Sequence, residues 1–196
     1  MTFLFALSNP SPQYSMTRHN AGHYVLTKLK SFVSIKKLDE LKNSTVLKYE
    51  LNNNSVGYFV FSKSFMNLSG SVLDEALRQT RSSLNEVCLL HDDMDLPLGK
   101  FKLKFGGGSG GHKGVESVIA ALSDNKFWRL KIGISKTSEK LERTNWLLSK
   151  FSPYEIEKIE LAITQLRDAF EELLKGEFLR AQNKFNRYSP NSEQNL

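Results

Sequence analysis

"EVCLLHDDMDLPLGKFKLKFGGGSGGHKG", residues 86–114, strings together an apolar run, an acidic turn, an alternating segment and a glycine-rich loop. "VCLL" (87–90) is continuously apolar, the pattern of a strand covered on both faces. In "KFKLKF" (100–105) alternation predicts Phe101, Leu103 and Phe105 inward and Lys102 and Lys104 outward. The loop then opens onto a helix over about 113–122. Upstream, "FLFAL" (3–7) is a buried strand ended by Asn-Pro, and from Asn20 the residues Val25, Leu26 and Leu29 share a helical face. "TVLKYEL" (45–51) and "VGYFVF" (56–61) flank "NNNS", a composition suited to a hairpin connection. Ser69 can cap a helix striped by Val72, Leu73, Ala76 and Leu77.

Downstream, "RLKIGI" (129–134) alternates as a strand. Ser152-Pro153-Tyr154-Glu155 is a capping-box pattern opening a long C-terminal amphipathic helix with Ile156, Ile159, Ile163, Leu166, Phe170 and Leu173. Gly176 ends it, and one more short helix follows over 177–187. Strands and helices alternate over most of the length, which predicts an α/β fold: a twisted, mixed, largely parallel β-sheet flanked by helices. No linker divides the chain, so residues 1–188 read as one domain and 189–196 as a flexible tail.

At 196 residues one sizeable core is affordable. The single cysteine, Cys88, excludes an internal disulfide, and its setting in "EVCLLH" suits packing. No apolar run approaches the roughly 20 residues that span a bilayer. "MTFLFALSNP" lacks the basic start of a signal peptide, so an intracellular protein is expected, in cytoplasm or mitochondrial matrix, with no membrane contact. The net charge is +6, yet residues 100–150 alone hold eleven Lys/Arg against four Asp/Glu. A cationic stretch beside a candidate site suits a phosphate-rich partner.

In open α/β sheets, ligands bind beyond the carboxyl ends of the strands. Asn9 follows the first strand, Phe65-Met66-Asn67 follow "YFVF", and Asp92 follows "VCLLH". The loop after the first strand carries His19, in "SMTRHNAGHYV" (15–25), to a helix start on the same rim. An imidazole can take a proton from water when a carboxylate accepts its other N–H and fixes the tautomer, a role open to Asp92. Asn67 can donate to a developing oxyanion. With no G-x-S-x-G motif, direct activation of water is expected.

Three rival readings fail on spacing. "HDDMD" (91–95) with His112 lacks H-E-x-x-H and paired Cys/His ligands, so no metal is expected. Gly106, Gly108 and Gly111 form G-x-G-x-x-G, but the only acid near the required spacing is Asp124, in a turn before the next strand. The G-K-[ST] ending of a phosphate loop is absent. A loop whose backbone approaches substrate closely is the better account. Lys102, Lys104, Arg129 and Lys131 are expected outward on alternating strands that flank it, and a phosphate-binding pair among them is compatible with that placement.

The segments "SNPSPQYSMTRHNAG", "KSFMNLSG", "LLHDDMDLPLGKFKLKFGGGSGGHKG", "FWRLKIGI" and "LLSKFSP", in this order, resemble the bacterial-type peptidyl-tRNA hydrolase family. The resemblance implies an ester hydrolase that recycles stalled peptidyl-tRNA in translation without metal or cofactor, with tRNA as partner; a monomer is expected. It implies His19 as the base and Asp92 as the acid that orients it. Asn9 matches the position that separates N-blocked from free aminoacyl-tRNA. Tyr14, Phe65, Met66 and Asn67 match the substrate cleft and His112 its glycine-rich rim. Lys104 and Lys131 resemble the basic pair that clamps the tRNA 5′-phosphate, the latter usually arginine. Two places depart from the family pattern. "ALSNPS" replaces G-L-G-N-P-G, leaving side chains at Ala6, Ser8 and Ser11, and Lys113 replaces the asparagine that contacts substrate. A lysine donates hydrogen bonds and cannot accept one. Some relatives, such as a chloroplast intron-splicing factor, use the fold to bind partners without hydrolysis; loss of asparagine at 113 is the feature that would favour that alternative.

Overall fold

The structure, a computed structural model, describes residues 1–51, 54–135 and 143–190. The chain enters at β1 (Thr2–Ala6), and two single 3-10 turns, Pro12–Tyr14 and Arg18–Asn20, return it to α1 (Ala21–Leu29). Three strands follow, β2 (Ser34–Glu40), β3 (Ser44–Glu50) and β4 (Val56–Ser62). A 3-10 turn at Met66–Leu68 leads into α2 (Ser69–Thr80). Then come β5 (Val87–Asp93), β6 (Phe101–Phe105), α3 (Lys113–Leu122) and β7 (Trp128–Gly133). Four helices close the chain: α4 (Arg143–Leu148), α5 (Pro153–Gln165), α6 (Arg167–Lys175) and α7 (Phe178–Arg187).

The seven strands form a mixed sheet in the order β2-β3-β4-β1-β5-β7-β6. Its centre is parallel, β1 pairing with β4 and β5, and β5 with β7. The hairpin β3–β4 and the pairs β2–β3 and β6–β7 are antiparallel. The period of two along the central strands divides the core. Leu4 and Ala6 of β1 join Cys88 and Leu90 of β5 on the face covered by α1 and the C-terminal helices. Phe3, Phe5, Val87 and Leu89 point the other way, into the layer that holds Val72 and Leu73 of α2 and Val115 and Val118 of α3. The continuous apolar runs are therefore buried on both sides, as a parallel centre requires.

Several expectations change in detail. Phe105 is 45% exposed at the end of β6, so only Phe101 and Leu103 point into the core. Ser69 is the first residue of α2 and donates its hydroxyl to the Met66 carbonyl (2.7 Å), leaving Leu68 at the cap position. The long C-terminal helix is interrupted by one residue, Leu166 (φ −96°, ψ 16°), which divides α5 from α6 while both keep one buried face. The capping box at Ser152 and Glu155 forms as expected. Strand β2 and helix α4 add elements the patterning did not indicate. The turn "ALSNPS" needs no positive φ at Ala6, Ser8 or Ser11, so their side chains cost no backbone strain. Residues 52–53 of the hairpin connection and 191–196 of the tail lie outside the described residues.

Candidate active site

Because β1 lies between β4 and β5, the carboxyl ends of these three strands share one rim. Gly22 sets how closely α1 approaches it. A Cβ at that position would lie 2.3 Å from the Leu90 carbonyl oxygen, so only glycine lets α1 lie against β5. That contact brings His19, just ahead of α1, to Asp92 at the end of β5. The loop between them is fastened by Asn20: its Oδ1 accepts the Asn9 N–H and its Nδ2 donates to the Asn9 carbonyl, both at 2.9 Å. The Asn9 Oδ1 in turn accepts the Met66 N–H (3.0 Å), which fixes the amide so that Nδ2, a donor, is the end left for the cleft.

The centre is a trio. His19 Nδ1 lies 2.9 Å and His112 Nε2 3.0 Å from the same oxygen, Asp92 Oδ1. His112 is the N-cap of α3, and its Nδ1 accepts the N–H groups of Gly114 (3.1 Å) and Val115 (3.4 Å). Backbone N–H groups only donate, so His112 carries its proton on Nε2 and gives it to Asp92. The carboxylate is likewise an acceptor only, so His19 presents Nδ1–H to it, the tautomer in which the acceptor of a neutral ring is Nε2. Burial alone would raise the Asp92 carboxyl, but electrostatic attraction to His112 and His19 and the hydrogen bonds they donate outweigh it and hold the group well below the usual carboxylate range. Asp92 also sits between the N-termini of α1 and α3, where a negative charge is favoured.

These groups line a cleft of about 900 Å³. Its lining takes in Asn9, Tyr14, Phe65, Met66 and Asn67 together with His112, Lys113 and Lys131. Phe65 is 52% exposed at the rim, and Met66 is buried beneath it. Lys104 does not reach the cleft lining; it faces Arg129 across the β6–β7 pair, while Lys131 faces Lys102. Arg129 is no outward cation, since it is 2% exposed and donates to the carbonyls of Gly107 and Gly108. It shapes the glycine-rich loop, in which Gly106, Gly107, Gly110 and Gly111 all have positive φ.

Sequence reasoning missed three supporting residues. Arg18, beside His19 in the quoted run, is buried, stacks 3.7 Å over Trp146 and donates to Ser149 Oγ, the Lys150 carbonyl and Glu155 Oε1. It ties the loop bearing His19 to α4 and the start of α5. Arg143 of α4 donates to the Gly110 carbonyl (3.2 Å), joining α4 to the glycine-rich loop. Asn20 is the third. Only adjacency to His19 in the sequence hinted at Arg18 and Asn20.

Among the described residues, the ligand atoms of His19, Asp92 and His112 form a group within 4.8 Å that a metal ion could share. Both rings, however, point at one oxygen from hydrogen-bond distance. An ion at the roughly 2.0–2.1 Å of a zinc–imidazole bond would require Asp92 to withdraw. The geometry suits protons.

His91, one residue earlier, donates Nδ1–H to the Asp92 carbonyl (2.7 Å) and packs edge-on against His112. Burial, reinforced by His112, pushes its imidazole down to about 3. Between about 6.5 and 3 the unfolded chain therefore takes up a proton that the folded chain refuses. Folded stability is full above that window and falls as pH drops through it. His91→Gln keeps a donor for the carbonyl and is expected to remove one proton's worth of that slope, up to about 1.4 kcal/mol per pH unit. Urea unfolding of both proteins across the window checks it; an unchanged slope would mean that His91 is protonated in the fold.

The peptidyl-tRNA hydrolase family model matches residues 3–194. The chain is 35% identical to peptidyl-tRNA hydrolase of Citrifermentans bemidjiense over 183 residues, covering 93% of this chain and 96% of that protein. It is 34% identical to that of Histophilus somni over 186 residues, covering 94% and 96%. The crystal structure of peptidyl-tRNA hydrolase from Acinetobacter baumannii superposes with a TM-score of 0.85 at 26% identity, covering 97% of this chain and 96% of that one. With the fold and nearly the whole length in agreement, the chain belongs to the peptidyl-tRNA hydrolase family.

Proposed function

We propose that the chain hydrolyses the ester between a peptide, or an N-blocked amino acid, and the ribose of tRNA. The observation that carries this reading is the single Asp92 oxygen shared by two imidazoles in the lining of the cleft, because it sets His19 in the tautomer whose neutral ring accepts at Nε2. Nε2 takes a proton from water as the water oxygen bonds to the ester carbonyl carbon. Asp92 stabilises the imidazolium that forms. Amide donors of Asn9 and Asn67 stabilise the oxyanion. The carbon–oxygen bond to the ribose then breaks, and the proton held on Nε2 passes to the leaving ribose oxygen. The products are a free peptide and a tRNA with its terminal hydroxyl restored. All groups this sequence of steps uses are protein side chains and water, with no cofactor.

Asn9, Tyr14, Phe65 and Met66 hold the acyl end, and Lys113 offers the substrate a donor where the family has an amide. The test is release of amino acid from N-acetylated and from free aminoacyl-tRNA by the purified protein. Turnover of the blocked substrate alone is expected; binding of tRNA without turnover of either would favour a non-catalytic RNA-binding relative.

Lys104 and Lys131 are assigned to the 5′-phosphate of the acceptor stem. Replacing both by glutamine is expected to raise KM for full-length substrate and to flatten its salt dependence, each lost phosphate contact removing about 0.9 from the log–log slope. Short acyl-nucleotide fragments without that phosphate should change little. An equal loss on both substrate types would remove the phosphate assignment.

A further inference from the structure

Lys131 does not stand free in the cleft. Its ammonium is paired with the Asp93 carboxylate, both residues being half-buried. The pairing follows from strand register. Asp93 lies opposite Gly133, where a Cβ would meet the Pro97 carbonyl oxygen, and the carboxylate reaches diagonally along the same face to Lys131. Its other oxygen, Oδ1, accepts the Asp95 N–H at 2.8 Å, which holds the carboxylate in place. The same face carries a row across three strands, His91 opposite Lys131 and Lys131 opposite Lys102. The one cation of that row that reaches the cleft is thus neutralised by a residue adjacent to Asp92.

We propose that Asp93 is a specificity-determining counter-ion: it occupies Lys131 until a terminal phosphate competes for it, and so weakens retention of any RNA that lacks one. The proposal rests on the assignment of Lys131 to phosphate. A phosphate carrying close to two charges displaces a single carboxylate more readily than a backbone phosphodiester carrying one. With Asp93 present, a monoanionic phosphodiester gains little from Lys131, whereas a terminal phosphate gains the ion pair. Removing the carboxylate should therefore tighten binding of every RNA and narrow the preference for a 5′-phosphate. Asp93 acts here through Lys131.

Asp93→Asn keeps the Oδ1 acceptor for Asp95 and removes only the charge. Binding of an acceptor-stem RNA hairpin is measured with a 5′-phosphate and with a 5′-hydroxyl, on wild type, Asp93→Asn and Lys131→Gln, over a salt series. For Asp93→Asn the expected result is tighter binding of both hairpins, by roughly threefold to tenfold and more for the 5′-hydroxyl form, with a salt slope steeper by about one ion. A merely structural aspartate would loosen binding when neutralised. If Lys131→Gln weakens the 5′-phosphorylated hairpin while Asp93→Asn leaves binding unchanged or weaker, the counter-ion role is wrong and the phosphate assignment stands. If Lys131→Gln leaves both hairpins bound as in wild type, the phosphate assignment itself fails.

Discussion

Replacing His19 with alanine is expected to lower turnover of N-acetylated aminoacyl-tRNA by at least about 10²–10⁴-fold, the range supplied by a positioned general base. The fold should survive. The His19 ring bonds Asp92 and packs against His112, but Asp92 keeps its second imidazole, so no buried charge is left without a partner. Helix α1 remains anchored by Ala21, Val25, Leu26 and Leu29, and the turn before it by the Asn20–Asn9 pairing. The variant should therefore show unchanged thermal unfolding and near-normal tRNA binding beside a collapsed kcat. Wild-type turnover by His19→Ala would remove the base from the mechanism.

Asp92→Asn is expected to lose on the order of 10²–10⁴-fold in kcat with a small change in KM. Asparagine matches the shape and can keep an oxygen toward the two imidazoles, so substrate contacts persist. What goes is the charge that, in the proposed mechanism, stabilises the imidazolium while the water proton rests on Nε2. The amide can also turn its Nδ2 toward the rings. His19 Nδ1 would then have to accept, sending its proton to Nε2, where it blocks the lone pair that water needs. A rise in KM at constant kcat would place Asp92 in substrate binding instead.

Much of this was legible in the sequence because buried strands and strand ends have local signatures. "FLFAL" and "VCLL" announce strands covered on both faces, and Asn9, Asn67 and Asp92 stand where such strands release the chain. Other parts have no local signal. Strand β2, "SIKKLDE", is an edge strand exposed along nearly its whole length, with a register shift between Ile35 and Lys37. Its charges protect an edge but erase the alternation by which strands are read. The break at Leu166 follows no proline or glycine; the apolar period runs straight through it. His112 was legible as part of a glycine-rich rim, yet that its ring meets Asp92 depends on how α3 packs against the sheet. The same holds for Asp93. Its pairing with Lys131 is a consequence of β5–β7 register, which spacing along the chain does not reveal.

General-base catalysis by His19 requires one proton position, which nitrogen NMR reads directly. In protein labelled at the histidine ring nitrogens, near neutral pH, His19 is expected to carry its proton on Nδ1 and to show Nε2 as an unprotonated acceptor. His112 is expected to show the reverse, with its proton on Nε2 toward Asp92. In Asp92→Asn the His19 pattern should weaken or invert. A proton on Nε2 of His19 in the wild-type protein would contradict the general-base role, because that nitrogen could not then take a proton from water.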